Sequence, residues 1–144
     1  MIVSDCKFDD YGQIVGFGIH DAALIGFSYE EAKTLVFRLR RENGSVLRIE
    51  LAGVGSVGAI GLRFPAIVSE VFAWHPDETP DGAATLTDGA WRVLFGNDIP
   101  ASDLPEAIRG ARAGGTFRYL LTVGCAFGGT MAALCRRIDV VEET

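Results

Sequence analysis

The chain has 144 residues, 49% of them hydrophobic, with 18 glycines, five prolines and a net charge of −6. That length reads as one domain, residues 1–144, and that apolar content excludes a disordered chain. The acidic balance speaks against nucleic-acid binding, whose affinity comes largely from clustered Lys and Arg; it is compatible with a basic partner protein, but charge alone names none.

The N-terminus lacks a basic segment followed by an apolar one, and Cys6, Cys125 and Cys135 form neither a Cys-x-x-Cys pair nor an even framework. Both features point to a reducing, cytoplasmic setting. The first strand candidates cover residues 13–19 and 23–29. Between them stands His20-Asp21, the one local pair with catalytic chemistry. Neighbours in a strand point to opposite faces, so the two can meet only if the backbone turns there. Otherwise the imidazole bonds locally and Asp21 caps nearby amides.

Residues 35–51 carry the clearest pattern. Leu35, Phe37 and Leu39 alternate with Val36, Arg38 and Arg40, and beyond Glu42-Asn43-Gly44 the residues Leu47, Ile49 and Leu51 alternate with Arg48 and Glu50. A period of two marks a strand with one dry and one wet face. Keeping each face uniform requires Leu39 opposite Leu47 and Phe37 opposite Ile49, across a three-residue loop that ends at Gly44 in a left-handed conformation. The predicted hairpin covers 34–41 and 45–53. It sets Arg38 beside Arg48 on the wet face, a small cationic cluster tempered by Glu50; edge protection and solubility are its favoured reading, and a binding surface is the alternative.

Gly53-x-Gly55-x-x-Gly58 then matches the dinucleotide fingerprint. That site needs a helix to open at the loop, and Gly61 and Pro65 interrupt any such helix. Residues 66–74 read as a strand, although Ile67, Val68, Val71 and Phe72 also fit one face of a short helix. Residues 76–89 read as a polar, acidic surface loop. Within it Asp77, Thr79, Asp81, Gly82 and Asp88 fall on calcium-loop positions, but Pro80 and the missing flanking helices disfavour that use. Residues 91–95 read as a strand.

One helix is predicted near 103–113, with Asp103 as cap, Pro105 in the first turn, Glu106 completing a capping box, and Gly114-Gly115 as its stop. Residues 116–127 and 130–141 read as a closing hairpin around Gly128-Gly129. The uncharged run 119–135 is too short and too glycine-broken to span a membrane. With a two-residue turn, Cys125 faces Ala132 and Cys135 lies on the opposite side of the ribbon, so the two are not disulfide-bonded. Arg136 then falls on the apolar face unless a bulge at Arg136-Arg137 turns it outward.

The fold class that follows is mainly β (β-rich α+β): an antiparallel sandwich or partly open barrel with one short helix near 103–113. Two histidines, His20 and His75, and three scattered thiols make no zinc site, and neither a catalytic set nor a cofactor site is expected. The succession His20-Asp21-Ala22-x-Leu24-x-Gly26, the hairpin, Gly53-Val54, Phe64 with Ile67 and Val71, and Leu134-Cys135-Arg136-Arg137-Ile138-Asp139-Val140 resembles a group of small β-rich bacterial proteins, some similar to immunity proteins of polymorphic-toxin systems. That resemblance implies a non-enzymatic protein that binds another protein, with His20, Asp21, Arg38 and Arg48 as candidate contacts. Two alternatives stand beside it. One is a small-ligand carrier with Phe17, Phe27, Phe37, Trp74 and Trp91 around a cavity. The other is a small enzyme built on His20 with a distant acid or with a thiol such as Cys125. Unpaired strand edges admit a homodimer.

Overall fold

The computed structural model describes residues 2–78, 80, 82, 84–96, 98–115, 117–127 and 129–143. The strands are β1 (Ile2–Asp5), β2 (Lys7–Phe8), β3 (Ile14–Val15), β4 (Ala23–Glu30), β5 (Thr34–Arg40), β6 (Val46–Ala52), β7 (Ser56–Ile60), β8 (Ala66–Trp74), β9 (Tyr119–Cys125), β10 (Thr130–Cys135) and β11 (Arg137–Glu142). Helices α1 (Ala84–Phe95) and α2 (Leu104–Ala113) lie between β8 and β9. Nine strands form one antiparallel sheet in the order β1-β11-β6-β5-β4-β8-β9-β10-β7, and β2 and β3 pair separately. The sheet is mainly β architecture not closed into a barrel.

The central hairpin has the expected register. Phe37 pairs with Ile49, Arg38 with Arg48 and Leu39 with Leu47. Arg41 N–H donates to Ser45 O at 2.9 Å and Gly44 takes a φ of 86°, which is the three-residue loop that the alternation demands.

The sheet folds into two layers because β4 and β8 pair only at Ala23–Ile67 and Leu24–Ala66 before diverging. One layer (β1, β11, β6, β5, β4) contributes Phe37, Leu39, Leu47, Ile49 and Val140 to the main core. The other (β8, β9, β10, β7) contributes Val68, Val71, Leu121, Val123, Met131 and Ala133. The second layer is dry on both faces along β9 and β10. Trp74, Leu120, Ala132 and Leu134 point outward into a second core, closed by Ala90 and Trp91 of α1 and Leu104 of α2. This double burial explains the long uncharged run 119–135: alternation disappears where both faces are covered. No helix among the described residues is long and apolar enough to cross a membrane.

Several expectations are corrected. Residues 84–95 form helix α1, not the end of a loop followed by a strand; Thr87, Ala90 and Trp91 are its buried stripe. The glycine-rich segment contains β7, and the predicted strand 13–19 shrinks to β3. Asp103 makes no side-chain cap and sits in helical conformation, while Glu106 pairs with Arg109. The closing hairpin has another register. Cys125 N–H donates to Gly129 O, and Ala132 pairs with Thr122 rather than Cys125. This odd shift turns Met131, Ala133 and Cys135 inward, so Cys135 shares the face of Cys125. Cys135 pairs with Tyr119 at the far end of β9, about 20 Å from Cys125 along the strand, and all three cysteines are free thiols. Gly128, assigned to the turn, lies outside the described residues. The predicted strand 130–141 is two strands, β10 pairing with β9 and β7 and β11 with β6 and β1, and Arg136 is exposed at the bend between them, turned outward by the change of partner strands and not by a bulge.

Candidate functional site

Arg38 and Arg48 stand side by side across β5 and β6 on the face away from the main core, where the chain's last strand supplies their counter-charges. Arg38 donates through Nε and Nη2 to the two Glu143 carboxylate oxygens, both at 3.0 Å. Arg48 lies 2.6 Å from Glu50 and 3.9 Å from Glu143. The Arg38 hydrogen bond is the main cause that holds the Glu143 carboxyl below the usual range, and its counterpart raises Arg38. The predicted cationic cluster is therefore a neutralised lattice. It ties β5, β6 and β11 together, and a ligand would have to displace Glu143 to use Arg38.

His20 and Asp21 do meet, because the chain turns there with Asp21 at a φ of 67°. His20 Nδ1 lies 3.1 Å from Asp21 Oδ2, with both side chains largely exposed. The turn is stitched to β8, where Asp21 N–H donates to Val68 O at 2.9 Å and Val68 N–H to Ala22 O at 2.8 Å. Beside it lies a depression of about 210 Å³, lined by Ile14, Ile19, His20, Ser69, Glu70 and Val71. Ser69 and Glu70 belong to a register irregularity of β8 that periodicity could not locate. The thiols lean away from catalysis. Burial raises the Cys125 pKa and pushes Cys135 up to about 12, opposite to an activated nucleophile.

The aromatic set proposed around a ligand cavity is split by the sheet. Phe37 belongs to the main core and Trp74 and Trp91 to the second, Phe17 is partly buried, and Phe27 is exposed. Of the calcium-loop positions, Thr79 and Asp81 lie outside the described residues and Asp88 is on α1. Among the described residues no group of three His, Cys, Asp or Glu could hold a metal ion. The fingerprint glycines open a strand, not a helix, so its phosphate-holding amides do not form.

A different feature stands out at the end of the molecule where β4 leaves β8. Phe27 and Tyr29 pair with Phe37 and Leu35 and so occupy the core face of β4, yet they are 47% and 60% exposed. Past Leu24, among the described residues, β8 no longer pairs with β4. Phe64 precedes β8 and is 56% exposed; Phe127 stands at the tip between β9 and β10 and is 89% exposed. Main-chain contacts bring these segments together. Leu24 pairs with Ala66, Ala126 N–H donates to Ile67 O at 2.8 Å, and the backbone of Gly129 lies against Leu62. Exposed Glu30, Glu31, Lys33 and Arg63 flank the aromatics in sequence. Sequence reading offered Phe27 as one wall of a cavity in the ligand-carrier alternative; the hint it passed over was Phe64 set directly beside Pro65.

No family model, curated protein or solved structure matches the chain.

Proposed function

We propose that this chain is a binding protein without chemistry of its own, which engages another protein through the aromatic end formed by Phe27, Tyr29, Phe64 and Phe127. The single observation that supports this reading is the presentation of four large aromatic side chains to water at one end of a molecule whose other large apolar residues mostly fill two cores. Aromatics are the side chains that carry most interface energy, because they bury much area at little entropic cost. The charges flanking the aromatics balance, Glu30 and Glu31 against Lys33 and Arg63, so it is the net charge of −6 that favours a basic partner, in line with the immunity-like resemblance. The lattice of Arg38 and Arg48 serves this reading as scaffold, and His20-Asp21 as a turn.

Native mass spectrometry of the protein purified from its own host tests the proposal. A co-purifying protein that is lost from the Phe64→Ser, Phe127→Ser double variant is the expected result. A retained small molecule in place of a protein, or turnover abolished by His20→Ala, would overturn it.

A further inference from the structure

We infer that β7 is a self-pairing edge through which two copies of this chain associate, at a surface separate from the aromatic end. Among the described residues β7 ends the sheet and pairs only with β10, so one row of its backbone N–H and C=O groups faces away from the sheet. Proteins that stay monomeric protect such edges with charges, proline or bulges. Here residues 53–62 contain no charged residue and no proline. The pairing of β7 with β10 runs from Ser56–Leu134 to Ile60–Thr130 without a register shift, so no bulge bends the edge away.

The flanking side chains suit a dry contact. Val57 and Ala59 lie opposite Ala133 and Met131, which face the main core, yet Val57 is 41% exposed and Ala59 is also exposed. The opposite layer stops short of this strand. On the other face, exposed Leu86 of α1 shares a groove with Ile60 and Val93. The strand is also held in place: a Cβ on Gly58 would lie 2.4 Å from the Val93 carbonyl oxygen, so the α1 backbone rests directly on it. A preformed edge loses little entropy on pairing.

A second copy suits this edge as the occupant, because the same uncharged, unshifted strand can meet itself in antiparallel register across a twofold axis. Two chains of net charge −6 repel over most of their surfaces, whereas residues 53–62 bring no charge to the contact. A twofold axis at Gly58 sets Ser56 across from Ile60, and Val57 across from Ala59, of the second copy. The contact is then self-complementary.

Sedimentation velocity over a micromolar concentration series tests this, together with amide hydrogen exchange at low and high concentration. The wild type should show a reversible dimer, and the amides of residues 56–60 should exchange more slowly as it forms. The Val57→Lys, Ala59→Lys double variant, with four like charges across the contact, should self-associate about tenfold more weakly or less while keeping its circular dichroism. A monomer at every concentration overturns the inference, as does a dimer whose formation leaves the amides of 56–60 unaffected. Loss of the dimer in the Phe64→Ser, Phe127→Ser variant would place the contact at the aromatic end and overturn it equally. If the lysine variant fails to fold, amide exchange in the wild type decides.

Discussion

Gly53, Gly55 and Gly58 match a nucleotide fingerprint for reasons of packing. Gly53 turns with a φ of 65° against the Arg136 side chain, Gly55 admits the Phe117 ring, and Gly58 admits the α1 backbone. An aromatic ring can shift to accept a methyl group; a helix backbone cannot. Gly58→Ala should therefore destabilise the protein by about 1–3 kcal/mol in urea unfolding. Gly89, inside α1 with nothing near its would-be Cβ, should give the opposite sign: Gly89→Ala should stabilise by about 0.5–1 kcal/mol. Cys135 offers a test by pH. Burial raises its folded pKa from 9.0 to about 12, so unfolding in alkali releases a proton that the folded state retains. That contribution is complete below about pH 9 and fades as pH rises toward about 12. The stability difference between wild type and Cys135→Ala should narrow over that window. Brief iodoacetamide treatment of native protein should leave Cys135 unmodified.

Among the elements, β5 with β6 was legible to the residue. One face is wet and the other dry, so the alternation encodes both the strands and their register. Residues 66–74, which also fit a helix face, are strand because β4 and β9 pair with them. α1 was hidden for the opposite reason. Thr85, Thr87 and Gly89 are weak helix formers, and the buried stripe includes a threonine whose hydroxyl is satisfied by Ala84 O. Its place is set by Trp91, which fills the second core; Trp91→Ala should cost about 3–5 kcal/mol of unfolding free energy. β11 is fastened to β5 through Glu143 and Arg38. Because the Glu143 pKa is lowered from 4.5 on folding, its contribution is present above that value and disappears as pH falls through the folded pKa. Glu143→Gln should thus be less stable than wild type at neutral pH and converge with it in acid, measured by urea unfolding across a pH series.

At the scale of the molecule, the two-layer sheet has done its burying before the aromatic end is reached. Phe127→Ser removes an exposed side chain and should change stability by no more than about 0.5 kcal/mol, and Phe64→Ser, at a ring 56% exposed, should cost about 1 kcal/mol, while the double variant loses its partner. A larger loss of stability in thermal unfolding would mean that these rings are packed, and the aromatic end would then be no surface. Arg38 and Arg48, chosen from the sequence as contacts, are paired on the folded surface with Glu143, which returns from the far end of the chain.

Local order set the class of this protein: alternation along a strand and a glycine at a tight turn depend on residues within a few positions of each other, and they identify antiparallel β structure directly. Long-range pairing decided the rest. Whether β9 and β10 are covered on one face or two, where β4 parts from β8, and which aromatics remain in water all follow from contacts between segments tens of residues apart. Those contacts leave no period in the chain to read, and the exposed aromatics and the outer edge of β7 are set by them.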